Sequence, residues 1–221
     1  YKDLKRIADF IPDFTLLPEY FWIRKGATDH LSAAKGFESA VEEIKRLSEK
    51  IPGLLVAGTL IEPDDTEFFN TCYIAKAGEL IAKHRKVHLF GDEQKSLTAG
   101  DGFRAHKYGN LIYGIVVCAD ALQETSFHRM KELGVKLIFA PTFSKVNPED
   151  TIQDKLHRDI SIFQNGAKIA NSVVAKCCSV GELFGRKANG RSLVCSPDEF
   201  LYRSDEESEK MVKVINLSID F

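Results

Sequence analysis

The sequence predicts an α/β domain in which helices pack on β-sheet, and three observations lead there. Apolar runs of strand length, such as "LLVAGTLI" and "VKLIFAPT", recur along the chain and read as buried strands. Amphipathic helical stretches alternate with them, and hairpin-like pairs of runs lie between, which is the pattern of helix layers on sheet. At 221 residues the chain can bury a sizeable core in one domain, although two small domains would also fit that length.

Residues 14–17, "FTLL", are expected as a short buried strand ended by Pro18 and Glu19. Residues 32–50 carry the clearest helical signal. Ala34, Phe37, Val41, Ile44 and Leu47 recur at three- and four-residue steps, Ser32 offers an N-cap, and Pro52 with Gly53 stops the helix. Residues 54–61 follow as a buried strand. "FFNTCYIA", the turn "KAGE" and "LIAKHRK" predict a hairpin over 68–86, and "GFRAHKY", Gly109 with Asn110, and "LIYGIVVC" predict a second. A short helix is expected over 126–134, closed by Gly134, then a strand over 135–142 and a helix over 151–165. "AKIANSVVA", "RSLVCS", "FLYR" and "MVKVINLSI" read as strands, and "SDEESEK" as a solvated loop.

Composition narrows the partners. The chain is 44% hydrophobic and 28% charged, with a formal net charge of −2 and both signs interspersed. No basic face points to nucleic acid or to an acidic membrane surface. The longest apolar stretches are too short to span a bilayer, and the charged opening "YKDLKRIADF" does not read as a signal peptide. The five cysteines, Cys72, Cys118, Cys177, Cys178 and Cys195, are odd in number and irregularly spaced. That usage points to a reducing, cytoplasmic setting, and the adjacent pair at 177–178 lacks the spacing of a zinc site.

Three predicted strands end in reactive residues: Glu19 after "TLLP", Lys86 within "AKHRKVHLF", and Cys118 after "YGIVV". Each alone has a bland explanation, as a surface carboxylate, a solvated lysine and a core thiol. Together they form a cysteine hydrolase that needs no histidine. A thiolate is the effective nucleophile and needs a base or cation beside it. Glu19 can take the thiol proton and return it to a leaving amine. Lys86 and the Ala119 amide can stabilise the negative charge that develops on the attacked amide or nitrile.

The order and surroundings of these residues resemble the nitrilase, or carbon–nitrogen hydrolase, superfamily. The matching stretches are "LLPEY" at Glu19, "HRKVHLF" at Lys86 and "GIVVCAD" at Cys118, with "GTLIE", "NTCYI", "GELIAKHRK", "LTAGD", "LIFAPT" and "GRSLVCSPDEFL" in register. The resemblance implies a four-layer α-β-β-α sandwich whose first strand is missing from this chain, with the helix remnant "YKDLKRIADFI" before the glutamate motif. It implies a Glu19–Lys86–Cys118 triad, a thioester intermediate, and no metal or organic cofactor. It also places Glu93, in "EQKSLTAGD", as a second glutamate orienting Lys86, with Glu62 as the less favoured competitor. A small-molecule amide or carbamoyl substrate and a homodimer or larger homo-oligomer are expected on the same ground. The alternative is a non-catalytic binding or interaction module of the same family.

The chain departs from the family pattern after the cysteine. Ala119 replaces an aromatic residue, Leu122 stands where an arginine often holds a substrate carboxylate, and no "FPE" follows. Leu122, Thr142 and Phe143 are therefore expected to present apolar surface near Cys118, favouring neutral amides over those bearing a free carboxylate.

Overall fold

A computed structural model of the chain describes residues 7–221. Most of the helix remnant expected over 1–11 lies outside the described residues, and Ala8–Phe10 form a single 3-10 turn. Among the described residues, β1 (Phe14–Leu16), β2 (Leu54–Asp64), β3 (Glu67–Lys76) and β4 (Glu79–Arg85) form a four-stranded sheet in that order. β1 runs parallel to β2 and the rest are antiparallel. A six-stranded sheet has the order β12 (Phe200–Arg203), β11 (Leu193–Cys195), β8 (Val173–Cys178), β7 (Leu137–Thr142), β6 (Leu111–Ile115), β5 (Ala105–Tyr108). A small ribbon, β9 (Gly181–Leu183) with β10 (Arg186–Ala188), stands apart.

Alternation along the strands builds the layers, because successive side chains in a strand face opposite ways. Leu54, Val56, Cys72 and Ile74 of the first sheet meet Tyr113, Ile115, Leu137 and Phe139 of the second in a shared inner core. Their neighbours Leu55, Ala57, Tyr73 and Ala75 face outward and pack under Ala40, Val41 and Ile44 of helix α2 (Phe37–Ser48). On the opposite side, Ile138, Ala140, Val174 and Leu193 pack under helices α4 (Glu124–Glu132) and α6 (Asn165–Ala170) through Phe127, Met130 and Ala167. Helix, sheet, sheet, helix is the four-layer sandwich that the sequence resemblance implies.

Several boundaries differ from the sequence reading. The helix expected over 32–50 is two helices, α1 (His30–Ala34) and α2, separated at Lys35 and Gly36. Its cap is Asp29, whose carboxylate accepts from the Ser32 N–H at 2.7 Å, so Ser32 completes a capping box as the third residue. The later helix runs past 165: α5 (Ile152–Asp159) continues through a π-turn, Ile160–Gln164, into α6. "AKIA" was expected in a strand but carries the helix's buried face through Ala167 and Ala170, and Asn171 ends it at φ 51°. The terminal "MVKVINLSI" forms no ladder among the described residues, since alternation makes a strand only where a second edge is offered. The "SDEESEK" loop is partly buried: Glu209 is 5% exposed and pairs with Lys155 at 2.6 Å.

Candidate active site

The four predicted catalytic positions come from both sheets and meet at one end of the sandwich. Glu19 follows β1, where a turn is held by the bulged middle of β2. Gly58 sits at φ 65°, and a Cβ there would lie 2.1 Å from the Pro18 carbonyl oxygen. The same bulge lets the Thr59 hydroxyl accept from the Tyr20 N–H at 2.9 Å. Lys86 follows β4, with its N–H on the Asn70 carbonyl and its own carbonyl accepting from Gly100, both at 2.8 Å. Glu93 opens the short helix α3 (Glu93–Ser96). Cys118 lies beyond β6, as the first residue of a 3-10 turn, Cys118–Leu122, at φ 47°. A side chain in that left-handed region carries backbone strain, which folds tolerate mainly where a group must be presented.

Glu19, Lys86 and Glu93 are all buried, at 1, 2 and 4% exposure. The Lys86 ammonium donates to Glu19 Oε1 at 2.9 Å and to Glu93 Oε2 at 2.7 Å. Asn70 Nδ2 bridges the two carboxylates, at 2.9 Å from Glu19 and 2.8 Å from Glu93. The second Glu19 oxygen accepts from the Phe143 N–H at 2.8 Å, and the Tyr20 hydroxyl donates to Glu93. The Cys118 thiol points at the Phe143 carbonyl, 3.7 Å away, beside Glu19.

Environment splits the two carboxylates. Burial raises Glu19 above the ordinary glutamate range despite the charge of Lys86, and the Glu93 charge pushes the same way. Burial also opposes ionisation of Glu93, but the charge and hydrogen bond of Lys86, with Tyr20 and the Phe90 N–H, outweigh it and hold Glu93 below that range. Lys86 stays an ammonium: burial works against it, and the charges of Glu19, Cys118 and Glu93 prevail. Burial and the nearby Glu19 push the Cys118 thiol well up. The thiol is held protonated by these surroundings, so it needs a base beside it to take its proton, and Glu19 is the carboxylate next to it.

The family model for carbon–nitrogen hydrolases matches residues 7–218. The chain belongs to the carbon–nitrogen hydrolase family. The curated relatives it resembles include Nitrilase homolog 2 of Dictyostelium discoideum, 31% identical over 115 residues, which are 45% of this chain and 35% of that protein. A nitrilase of Pyrococcus abyssi is 24% identical, with 80% of this chain matching 70% of that one. The omega-amidase NIT3 of Saccharomyces cerevisiae is 26% identical, with 79% of this chain matching 62% of that one. Among solved structures, a cysteine-to-alanine mutant of the amidase from Nesterenkonia sp. AN1 in complex with butyramide superposes with a TM-score of 0.81 at 18% identity, over 95% of this chain and 78% of that one. A mutant of the same amidase, in which acrylamide has added to the active site cysteine, gives 0.81 at 18% identity, over 95% and 81%. The carbon–nitrogen hydrolase fold is shared with both.

Of the positions expected to shape the carbon–nitrogen hydrolase pocket, Ala119 is buried in the cysteine turn and Thr142 closes β7. Phe143 meets both Glu19 and Cys118 through its backbone. Leu122 is half exposed at the far end of the turn. Tyr20, His30, Phe143 and Phe184 form a run of aromatic contacts next to Glu93, with ring centroids 5.1–6.2 Å apart. Asn70 and Tyr20 were not singled out from sequence, although both lie inside quoted motifs; a motif marks a neighbourhood, and only the fold shows which of its side chains turn inward. Glu62, the competitor of Glu93, is bound by Arg85 at 2.9 and 3.0 Å, by Thr71 at 2.7 Å and by Lys83. A cavity of about 1170 Å3 has Tyr20 and Phe143 in its wall but not Glu19, Lys86 or Cys118.

Proposed function

We propose that this chain is an amidase-type hydrolase of small, neutral amide or carbamoyl compounds, acting through Cys118, Glu19, Lys86 and Glu93. The observation that carries the reading is the geometry: buried Glu19 and Glu93 both accept from the Lys86 ammonium, at 2.9 and 2.7 Å, beside a cysteine at φ 47°, and burial raises one carboxyl while the Lys86 charge lowers the other. Such a split is how a site separates a proton carrier from a fixed charge. Glu19, raised, takes the Cys118 proton as sulfur attacks the carbonyl carbon, and the carbonyl π pair moves onto oxygen. The Lys86 ammonium and the Ala119 N–H stabilise that oxyanion. The oxyanion collapses, the C–N bond breaks, and Glu19 returns the proton to the departing nitrogen, leaving a thioester. Glu19 then takes a proton from water as the water oxygen attacks the thioester. Loss of the thiol releases the acid. Glu93 stays ionised throughout and keeps Lys86 charged and aimed.

Neutral substrates are favoured because the arginines that other loops could bring toward the pocket each pair with a carboxylate of this chain: Arg104 with Asp101, Arg129 with Glu132, Arg158 with Asp150, Arg186 with Asp92 and Arg191 with Asp159. The complex of the Nesterenkonia amidase with butyramide, a neutral amide, is consistent with that preference. The reading takes the chain as one domain. It includes a homo-oligomer by family resemblance and, from five free thiols, a reducing cytoplasmic setting. The test is ammonia release from a panel of neutral amides, carbamoyl compounds, nitriles and carboxylate-bearing amides, with intact-mass detection of an acyl adduct on Cys118. Neutral amides should turn over fastest. No turnover and no adduct across the panel would support the binding-module alternative, and a preference for carboxylate-bearing amides would refute neutral specificity.

A further inference from the structure

Asp120 is fully buried and sits two residues after the cysteine. Its Oδ1 accepts from the backbone N–H of Val87 at 3.1 Å and of His88 at 2.7 Å, and lies 3.2 Å from His88 Nδ1. Its Oδ2 accepts from the Val117 N–H at 2.8 Å, while the Asp120 N–H returns a bond to the Val117 carbonyl at 3.0 Å. His84 Nε2 lies 3.5 Å from the same oxygen. One carboxylate thus grips the two residues after Lys86 and the residue before Cys118. Those segments belong to different sheets, since Lys86 follows β4 and Cys118 follows β6.

We propose that Asp120 is the positioning residue of the site: it sets the Lys86 ammonium and the Cys118 sulfur at their working separation and holds the strained cysteine turn. The assignment rests on the proposed roles of Lys86 and Cys118. Three backbone N–H groups on one buried carboxylate make a rigid tie, because each bond is charge-assisted and shielded from water. No other acceptor of that geometry fits, since a side-chain amide has one oxygen and must turn its NH2 toward either Val117 or the 87–88 pair. Asp120 touches no substrate; its effect passes through the placement of the nucleophile and the oxyanion donor.

The test is Asp120→Asn in the full chain, with kcat, KM and the rate of Cys118 alkylation by iodoacetamide measured beside the parent. A displacement of about 1 Å costs roughly 10²-fold in rate, so kcat should fall by about that factor with KM little changed and alkylation slowed. Cys72, Cys178 and Cys195, all buried, report folding by staying protected from the reagent. Unchanged kcat and alkylation in a variant that keeps that protection overturn the proposal. If Asp120→Asn yields no folded protein, His88→Ala removes the ring contact but leaves all three backbone bonds; kcat and alkylation within a few-fold of the parent support the backbone tie, and a fall of about 10²-fold there overturns it by placing the effect in the ring. Cys118→Ser separates the two levels: turnover retained there removes the catalytic reading itself, whereas turnover lost there but kept in Asp120→Asn removes only the tie.

Discussion

On the proposed mechanism Lys86 works mainly in the transition state, where charge appears on the attacked oxygen. Lys86→Ala should therefore lower kcat far more than it raises KM, by roughly 10²–10³-fold for one lost oxyanion donor. The variant also leaves Glu19 and Glu93 facing each other without the cation between them, so both carboxyls should shift upward and the acidic limb of the pH–rate profile should move to higher pH. On the proposed mechanism that limb belongs, in the parent chain, to Glu19, which must be ionised to accept the thiol proton. Its folded pKa is raised, so activity should be lost as pH falls through a value above the ordinary glutamate range. A limb at or below that range would take the base role from Glu19. Tyr20→Phe removes the hydroxyl that donates to Glu93. Glu93 then loses one of the bonds that hold it ionised, and the expected outcome is a kcat decrease smaller than that of Lys86→Ala, read with the same assay.

The elements matter through where they end. β1, β4, β6 and β7 all deliver their carboxyl ends to one rim, where open α/β sheets gather their chemistry. Gly58→Ala tests how firmly that rim is set. The added methyl cannot coexist with the Pro18 carbonyl, and the left-handed backbone at 58 disfavours it further. β2 or the Pro18–Tyr20 turn has to shift, so activity should drop sharply and stability by about 1–3 kcal/mol. Parent-like activity would show that the turn does not depend on the bulge. The sequence made the strand ends and their reactive residues legible, because buried strands announce themselves by composition and Glu19, Lys86 and Cys118 each followed one. It did not show the break between α1 and α2, where Asp29 and Gly36 compete with an unbroken apolar spacing. Nor did it show the extension of the α5–α6 helix, where β-branched residues in "SVV" drew "AKIA" into a strand reading. Asn70, Tyr20 and Asp120 were inside the quoted motifs, yet their roles depend on contacts between residues 23 to 73 positions apart.

Across the whole molecule, buried carboxylates other than Glu19 tie strands and sheets together, and they make a prediction about acid. Burial opposes the charge on Glu62, but Arg85, Lys83 and Thr71 hold its carboxyl down to about 2; burial likewise opposes Asp120, which His84, His88 and the Val117 N–H hold to about 2. A carboxyl whose folded pKa is depressed adds stability above its unfolded pKa, and that stability is lost as pH falls toward the folded value. For Glu62 the shift is on the order of 3 kcal/mol, with Asp120 somewhat less. Resistance to denaturant should therefore be flat near neutrality and fall steeply from about pH 5 toward pH 2. Glu62→Gln isolates one contributor. It leaves Lys83 and Arg85 without their shared anion, so it should destabilise the fold near pH 7. As pH falls and the parent's own Glu62 protonates, the gap between parent and variant should close. Urea midpoints at pH 7, 5 and 3 measure this directly. A gap that stays constant down to pH 3 would mean that Glu62 serves the fold through packing rather than through its charge.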